Sequence, residues 1–555
     1  MLELTLPEHL RHAASEYPRL GINYIRENGS VDFQSYPELL KEATGLACGL
    51  ISGGMEPGSK AIIATNDNRQ TITLLWACFI SGIIPTILQP PVTFTDFNPS
   101  ATKLLNVFRQ LGNPVVFTSI VTHSSDEQLS AKIVVYSAIP FEKGEPEIKS
   151  SFEDLAFIQF SSGSTGEPKG IMLTHRNLAM NIEAIIAGLD LQPHDHGGNW
   201  MPLYHDMGLI GYHLTPIYCP CQQYHIDTVD FIKNPGLWLD MMSQQKITVT
   251  GCPNFGQALV LRYLKRKSEG QNWDFSPVKA MLNGAEPISV KIIEEFIRAM
   301  KKYGFADEAM MPVYGMAEAT LAISFSPLMK PTTITAFDAE MLDNHNIALK
   351  IPMGHNSRQC RAVISVGAAL KYVDIRIVDE QENELGENSV GHIQVKGGSV
   401  TKGYFENPEA SANAFDGEWL RTGDMGFIFE KNLYISGRYK DIIFMNGKNY
   451  FAHDLENLAG RLEEVNYGKI SFGGITDQKT GKEKVLVFLA GIPETKAPDM
   501  LHQIRVLLRK NLGIQLDELI LIRSNEIPKT SSGKIQRFRL IQRYQQGEFK
   551  EHRFK

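Results

Sequence analysis

Cysteine is scarce in this sequence, with six residues among 555, and the six are unevenly spaced. Such spacing makes no disulfide framework of the kind found in small secreted domains, and it favours a reducing compartment. The amino terminus, MLELTLPEHLRHAASEYP, lacks the basic start, apolar stretch and small-residue cleavage site of a signal peptide. We therefore expect a cytoplasmic protein.

Long hydrophobic runs are also missing. The longest one, at 74–88, contains Ser81, Gly82 and Pro85, and it falls short of the roughly 20 residues that a membrane-spanning helix needs. We expect no transmembrane segment here, but a buried helix followed by a turn and a strand.

Neither sign of charge dominates, because 55 Lys and Arg stand against 62 Asp and Glu. With 43% hydrophobic residues, this composition excludes disorder, collagen and coiled coil. The segment from Lys440 onward is locally basic, with 20 Lys and Arg against 14 Asp and Glu. Such a segment can attract an acidic or phosphate-bearing partner, although a merely solvated surface explains it equally well. Nucleic acid is not expected, because no basic-aromatic stripe or binding motif accompanies the charge.

Short β-rich runs alternate with helix-like stretches, which is typical of α/β layers with largely parallel sheets. The β-rich runs lie at 60–65, 113–118 and 132–137, and the helix-like stretches at 36–51 and 68–80. From about 373 to 429 the runs VDIRIVD, GHIQVKG and DMGFIFE predict a small β-rich subdomain. After Arg438 the pattern changes to mixed helix and strand.

The segment AFIQFSSGSTGEPKGIMLTHRNL, at 156–178, carries the clearest chemical signal. Its flanks predict a strand–loop–strand hairpin, and the loop between them consists of small hydroxyl and glycine residues. Backbone N–H groups, hydroxyls and the following Lys169 can together surround a polyphosphate. The spacing of a Walker A loop fails at Pro168, and a Ser/Gly surface turn is the plainer alternative. The residues that would hold the phosphates are Ser162, Gly163, Ser164, Thr165, Gly166 and Lys169.

Six further motifs follow in order: PLYHDMG (202–208), NGAEP (283–287), YGMAEAT (314–320), WLRTGDMG (419–426), SGRYKD (436–441) and PKTSSGKIQR (528–537). With the loop, they resemble the acyl-adenylate-forming superfamily of acyl-CoA synthetases, adenylation domains and luciferases. The resemblance implies an α/β fold with a large N-terminal domain of layered sheets at 1–439, including a β-rich subdomain at about 373–435. A small mobile α+β C-terminal domain would follow at 440–555.

The resemblance also implies ATP as co-substrate and Mg²⁺ as cofactor. Glu318 and Thr165 would place Mg·ATP through oxygen, the donor that Mg²⁺ prefers; without the resemblance, Glu318 would be an acid favoured by a helix N-terminus. Asp424 would accept the ribose hydroxyl protons and Arg438 would contact the ribose, whereas alone Asp424 would be a turn aspartate. The adenine and ribose pocket would be lined by Gly284, Ala285, Glu286, Tyr314, Gly315, Met316 and Ala317.

Lys534 is the predicted catalytic residue. Attack of a carboxylate on the α-phosphate joins two anions, and a lysine between them stabilises the transition state electrostatically. The neighbouring Ser531, Ser532 and Gly533 suit a lysine that a moving domain delivers, but also a solvated lysine on a mobile tail. Lys440 matches the hinge about which the family's C-terminal domain rotates.

His205, in LYHDMG, has three other histidines nearby in the sequence, His194, His196 and His213. Their separations match no compact zinc pattern. In similar enzymes this histidine borders the carboxylate-binding cavity, so the resemblance implies that His205 gates or orients the substrate.

Three local features resemble fatty acyl-AMP ligases: HDMG after PLY, the phrase GRYKDIIFMNGKNYFAHDLE, and an insertion within about 336–372. In similar proteins the insertion packs on the large domain and disfavours transfer to coenzyme A. Residues 368–371 and Ala452 depart from the subfamily pattern, which leaves a fatty acyl-CoA synthetase as the alternative.

The function implied is ATP-dependent activation of a fatty acid to fatty acyl-AMP, followed by transfer to the phosphopantetheine thiol of an acyl carrier protein. The chain has no Gly-x-Asp-Ser carrier segment, so the carrier is expected as a separate molecule. Carrier proteins are usually acidic, and we expect Arg537 and Arg539 of the basic C-terminal segment to help dock one. An inactive nucleotide-binding regulatory protein is the alternative from another class. A serine hydrolase is disfavoured, because Gly-x-Ser-x-Gly is absent.

Overall fold

The computed structural model describes residues 4–91, 98–120, 124, 126–146, 148–161, 168–267, 270–353, 360–445, 448–476, 483–530 and 534–555. The helices in these ranges are α1 (Leu6–Glu16), α2 (Tyr36–Ser52), α3 (Asn68–Ile80), α4 (Pro99–Gln110), α5 (Glu127–Ser130), α6 (His175–Leu189), α7 (Thr215–Tyr218), α8 (Thr228–Lys233), α9 (Gly236–Gln244), α10 (Asn254–Lys267), α11 (Val290–Lys301), α12 (Ala339–Asn344), α13 (Pro408–Ala414), α14 (Ala452–Ala459), α15 (Ala497–Leu512) and α16 (Arg537–Gln545).

The strands of the first half are β1 (Gly21–Ile25), β2 (Val31–Ser35), β3 (Lys60–Ala64), β4 (Ile84–Ile87), β5 (Val115–Thr118), β6 (Ile133–Val135), β7 (Leu155–Ser161), β8 (Lys169–Thr174), β9 (His196–Asn199), β10 (Gln222–Ile226), β11 (Val249–Gly251), β12 (Ala280–Asn283), β13 (Met310–Gly315) and β14 (Ala322–Phe325). Those of the second half are β15 (Ile334–Asp338), β16 (Cys360–Ile364), β17 (Ala368–Ala369), β18 (Val373–Val378), β19 (Gly391–Gly397), β20 (Phe415–Asp416), β21 (Trp419–Phe429), β22 (Asn432–Arg438), β23 (Ile442–Met445), β24 (Lys448–Phe451), β25 (Ile470–Thr476), β26 (Glu483–Ala490), β27 (Glu518–Ile522) and β28 (Arg553–Phe554).

The largest sheet has nine strands in the order β17-β14-β13-β12-β11-β9-β10-β1-β2. The six strands from β13 to β1 in this order are parallel, whereas β2, β14 and β17 pair antiparallel at the two edges. A second sheet, β4-β3-β5-β6, is entirely parallel. Buried parallel strands of this kind confirm the predicted α/β layers with largely parallel sheets.

Local sequence patterns agree with several of these elements. The helix-like stretch at 68–80 is α3, and the run at 74–88 forms the buried end of α3, a turn and β4. The loop at 162–167 is flanked by β7 and β8, which pair antiparallel, so the strand–loop–strand prediction is confirmed. Across the described ranges, no helix is long and apolar enough to cross a membrane.

The three predicted strands of the β-rich region are β18, β19 and β21, which join β20 and β22 in a five-stranded sheet. The predicted insertion begins at the hairpin β15–β16, which encloses α12. Phe337 of this hairpin packs edge-on against Phe427, Phe429 and Tyr434, with ring centroids 5.0–5.6 Å apart. The hairpin is thereby fixed to the β-rich sheet.

The chain after Arg438 forms the hairpin β23–β24 and a sheet in the order β25-β26-β27-β28. Its mixed pairing, parallel only between β26 and β27, agrees with the expected α+β character. Val485, Val487 and Leu489 of β26 are fully buried, and they form one hydrophobic cluster with buried residues of α14 and α15. This segment therefore has a hydrophobic core of its own.

A buried polar network surrounds Gln223, a residue of β10 in the large sheet. The Gln223 Oε1 atom accepts hydrogen bonds from the His213 Nδ1–H, at 3.0 Å, and the His225 Nε2–H, at 3.1 Å. The opposite nitrogen of His213 accepts from the Trp76 indole, and that of His225 from Asn199. Both imidazoles are therefore satisfied in the neutral form. Burial lowers the pKa of His213 to about 4, and burial with the charge of His213 lowers that of His225 to about 3.

Acid should destabilise the large domain through these two histidines. An unfolded histidine binds a proton below about pH 6.5, whereas His213 and His225 resist protonation until about pH 4 and 3. As the pH falls through this window, protons favour the unfolded state, and each histidine removes about 1.4 kcal/mol of unfolding free energy per pH unit. Urea unfolding followed by tryptophan fluorescence at several pH values measures the slope.

The variant His213→Gln removes one of the two titrating groups, and exposed His12→Gln is its control. We expect the pH slope of His213→Gln to be shallower than that of the control. Equal slopes in the two variants would show that the buried histidines do not govern the acid response.

Candidate active site

A cavity of about 2040 Å³ lies between the ends of the large sheet, the β-rich sheet and the C-terminal segment. Thirteen predicted site residues line it: Lys169, His205, Ala285, Glu286, Tyr314, Gly315, Met316, Ala317, Glu318, Asp424, Arg438, Lys440 and Lys534. Gly284 does not, and a Cβ there would lie 2.8 Å from the Val313 carbonyl oxygen. Its small size is thus required by packing against β13, and Ala285, with a φ of +67°, turns the chain into the cavity.

Asp424 lies in β21 directly opposite Arg438 of β22, next to a bulge in the strand pair. The Tyr314 hydroxyl donates to Asp424 Oδ2 at 2.7 Å, and Arg438 Nε lies 3.0 Å from Oδ1. Asp424 is only 6% exposed, so it is held in one orientation by groups from two sheets. A carboxylate has about four lone-pair sites, which leaves capacity for further donors.

Glu318 lies in the helical turn Ala317–Ala319 after β13. Tyr404 donates its hydroxyl to Glu318 Oε1 at 3.1 Å, while Lys169 Nζ lies 4.8 Å from the centre of the Tyr404 ring. Burial raises the pKa of Glu318, because it disfavours the charged carboxylate. A cation bound in the cavity would act in the opposite direction and favour the ionised form. Tyr404 therefore joins the two groups predicted to hold phosphate and metal.

Lys534 reaches the same cavity from the C-terminal segment. Its carbonyl oxygen accepts a hydrogen bond from the Thr530 N–H, and its own N–H donates to the Thr530 hydroxyl. Burial and the positive charge of Arg438 lower the pKa of Lys534. Three carboxylates oppose this shift by electrostatic attraction: Asp206, Asp424 and Glu286. The ammonium group of the C-terminal segment thus lies among charged groups of the N-terminal part, as the hypothesis of a delivered lysine requires.

His205 ends the turn before a π-helical segment, Met207–Leu214. Its Nδ1 atom lies 2.7 Å from Asp206 Oδ1, which also accepts the Met207 N–H. Burial would raise the pKa of Asp206, but His205, Lys534 and this N–H outweigh it, so the pKa lies below its usual value. His205 is thus fixed at the cavity wall by an ionised carboxylate.

The cavity also has an apolar wall, formed by side chains of α6, α10, β11, β13 and β14 and by Leu321. The wall is lined by Ile185, Leu189, Val249, Leu259, Val313, Leu321 and Phe325. Apolar surface of this kind, next to polar groups at one end, suits an amphipathic ligand with a hydrocarbon chain.

Several contacts between described residues cross from the N-terminal part to the C-terminal segment. The Tyr467 hydroxyl donates to Glu286 Oε2 at 3.0 Å, and Lys291 Nζ donates to the Gly460 carbonyl at 3.0 Å. Arg361, in the insertion strand β16, is ion-paired with both Asp343 and Asp454. The insertion therefore touches the C-terminal segment as well as the β-rich sheet.

The phosphate-loop residues Ser162, Gly163, Ser164, Thr165 and Gly166 lie outside the described residues, and so do residues 531–533. Sequence reasoning missed Asp206, Tyr404, Tyr467 and Arg361. Asp206 stands inside a motif already recognised, so its position beside His205 was available as a signal. The other three residues have no such signal in the sequence. Their partners Glu318, Glu286 and Asp454 are 86 to 181 residues away.

Arg537 does not have the exposed position that we expected of a docking residue. Its guanidinium forms two hydrogen bonds with Glu456, at 2.8 and 2.6 Å, and one with Asp441 at 2.7 Å. The side chain is only 16% exposed, because it ties the start of α16 to α14 and to the helical turn Tyr439–Asp441. Arg539, two residues later, has no ion pair within the described ranges.

Charge reversal separates the roles of these two arginines. Arg537→Glu should destabilise the C-terminal segment by about 3–5 kcal/mol, because it leaves buried acids unpaired and adds another. Arg539→Glu, the control, should change the stability little. Hydrogen–deuterium exchange of α14 and α16 measures the difference, and equal protection in the two variants would contradict the structural role of Arg537.

Comparison with known proteins agrees with this geometry. The model of the AMP-binding enzyme family matches residues 10–405, and the chain belongs to that family. A Teredinibacter turnerae protein named medium-chain-fatty-acid–[acyl-carrier-protein] ligase TtuA is 34% identical over 71% of this chain and 63% of its own length. A Caulobacter vibrioides protein with the provisional name acyl-CoA synthetase is 31% identical over 98% of this chain and 96% of its own.

Among solved structures, one from a study of fatty acyl-adenylate ligases from E. coli and L. pneumophila has a TM-score of 0.88. It is 27% identical in sequence and covers 98% of both chains. The whole chain, with the C-terminal segment in place, thus has the fold of an adenylate-forming enzyme.

Proposed function

We propose that this protein activates a fatty acid as fatty acyl-AMP, with release of pyrophosphate, and transfers the acyl group to the phosphopantetheine thiol of a separate acyl carrier protein. The observation that carries this proposal is the position of Lys534. It shares one cavity with Asp424, Arg438 and Glu318, next to an apolar wall. We also propose that the boundary between the two domains lies at Lys440. The six free cysteines support a cytoplasmic location, since disulfides are rare there.

ATP fits the polar end of the cavity. Asp424, already oriented by Tyr314 and Arg438, accepts hydrogen bonds from the ribose hydroxyls. The adenine lies against Ala285 and residues 314–317. Glu318 offers one carboxylate near Lys169, and Mg²⁺ usually keeps few protein ligands and shares phosphate oxygens. Glu318 therefore fits a magnesium ion, which it would hold together with Thr165. When bound, it neutralises charge on the phosphates.

In the first step, a carboxylate oxygen of the fatty acid attacks the α-phosphorus, a P–O bond forms, and the bond to pyrophosphate breaks. Lys534 stabilises the negative charge that develops between the two anions. In the second step the acceptor thiol loses its proton to solvent, its sulfur forms a bond to the acyl carbonyl carbon, and the bond from that carbon to the AMP phosphate oxygen breaks. His205, fixed by Asp206, orients the carboxylate at the start of the apolar wall.

Replacement of Lys534 tests its catalytic role. We expect Lys534→Ala to slow formation of acyl-AMP by about 10²–10³, the usual loss for one preorganised charge partner in the transition state. Lys510→Ala, which changes an exposed lysine of α15, should leave the rate unchanged. Pyrophosphate release in single-turnover experiments measures both, and similar rates would show that Lys534 does not take part.

The acceptor is tested by mass spectrometry of the products formed from Mg·ATP and a panel of fatty acids, with coenzyme A or a holo-acyl carrier protein. We expect acyl-AMP and acylated carrier, with little acyl-CoA. The relative with an acyl-CoA synthetase name makes coenzyme A the second candidate, and acyl-CoA at comparable turnover would establish it. Absence of any adenylate would leave the nucleotide-binding regulatory protein.

A further inference from the structure

Glu286 accepts hydrogen bonds from two distant parts of the chain, one at each carboxylate oxygen. The Phe255 N–H, in the first turn of α10, donates to Oε1 at 2.7 Å, and the Tyr467 hydroxyl donates to Oε2 at 3.0 Å. The Asn254 side chain also donates to the Pro287 carbonyl. Because the first N–H groups of a helix have no partner within it, α10 holds this segment firmly. Glu286 is therefore a fixed acceptor for Tyr467.

The Tyr467 hydroxyl keeps its proton and remains a donor. Burial and the negative charge of Glu286 raise the pKa of Tyr467 well above its usual value. Burial also raises the pKa of Glu286, while its two donors and the charges of Lys534 and Lys529 act in the opposite direction. A neutral phenol donates one hydrogen bond, so this contact persists throughout the neutral pH range.

Packing within the C-terminal segment links Tyr467 to Lys534. Tyr467 precedes Gly468, whose φ of +71° turns the chain just before β25. Lys529 Nζ lies 3.2 Å from where a Cβ of Gly468 would stand, so Lys529 packs on this turn. Lys529 also pairs across a β-bridge with Ile535, the residue after Lys534. The hydrogen bond of Tyr467 therefore fixes the turn on which the lysine-bearing part of the chain packs.

Two other contacts across the boundary end in a different place. Arg361 pairs with Asp454 of α14, and Lys291 donates to the carbonyl of Gly460, directly after that helix. Both contacts attach the C-terminal segment through α14, whereas Tyr467 attaches it through the turn before β25. The Tyr467 contact is thus the one of these three that acts on the surroundings of the predicted catalytic lysine.

We infer that Tyr467 is a positioning residue for Lys534, and that its hydrogen bond to Glu286 sets where the lysine lies at the polar end of the cavity. The inference rests on the proposed function, in which Lys534 stabilises charge during formation of acyl-AMP. A displacement of about 1 Å near reacting groups can cost on the order of 10²-fold in rate. A contact that acts on Lys534 through one turn is therefore sufficient to control the first step.

The test is Tyr467→Phe in the full chain, alone and combined with Lys534→Ala. The change removes the hydroxyl and keeps the ring. The matched control is Tyr544→Phe, because Tyr544 also donates to a carboxylate, Glu518 Oε2, at 2.9 Å. Both partners of the control lie in the C-terminal segment, and neither lines the cavity.

Two reactions are measured for each variant. The first is pyrophosphate release in a single turnover, which follows formation of acyl-AMP. The second starts from prepared acyl-AMP and follows transfer to holo-acyl carrier protein or to coenzyme A, whichever the wild type accepts. The proposed role of Lys534 belongs to the first reaction, so the second reports whether the variant remains intact.

We expect Tyr467→Phe to slow formation of acyl-AMP roughly 10-fold or more, the usual loss for a hydrogen bond to a charged group. Transfer from prepared acyl-AMP should keep the wild-type rate, and Tyr544→Phe should keep it in both reactions. In the Lys534→Ala background, Tyr467→Phe should cause no further slowing, because the group that it positions is gone.

Failure of the wild type to form acyl-AMP would refute the proposed function, and the inference with it. With acyl-AMP formed by the wild type, equal rates for Tyr467→Phe and Tyr544→Phe would refute the positioning role alone. Two further outcomes also overturn it. Equal slowing with and without the lysine would assign Tyr467 to the nucleotide pocket beside Glu286, and an equal loss in both reactions would make its role purely structural.

Discussion

Lys534 and Arg438 bring two positive charges into a cavity that Asp206, Asp424 and Glu286 line with negative ones. Removing a charge from water costs free energy unless the charge is paired. The two cations and the three carboxylates therefore stabilise one another in this cavity. Because Lys534 belongs to the C-terminal segment and the carboxylates to the N-terminal part, the same attraction that prepares the site also holds the two parts together.

The parallel strands explain why these groups meet. In α/β proteins ligands bind beyond the carboxyl ends of parallel strands, and that edge supplies Glu286 after β12 and the turn with Glu318 after β13. The β-rich sheet closes the cavity from the other side with Asp424 and Arg438, and Tyr404 follows β19 of that sheet. Apolar residues of α6, α10, β11, β13 and β14 line the same cavity.

Local patterns predicted what depends on neighbours in the sequence. The bounds of α3, the hairpin β7–β8 and the three strands of the β-rich region could all be read from periodicity and turn residues. The nine-stranded sheet could not, because β1 pairs with β10, about 200 residues away. Arg537 was misjudged for the same reason: its partners Glu456 and Asp441 are 81 and 96 residues earlier. The recognised motifs located the site, but its supporting contacts come from tertiary structure.

The contacts across the domain boundary have a consequence for building chimaeras. Exchanging the C-terminal domain with that of a relative at Lys440 would keep the proposed hinge and the proposed catalytic lysine. It would also replace Tyr467 and Asp454, the partners of Glu286 and Arg361, with the residues of the relative. A graft that keeps both partners of each pair should dock its new domain. A graft that keeps only the motifs would leave Arg361 without Asp454 wherever the relative has another residue at that position.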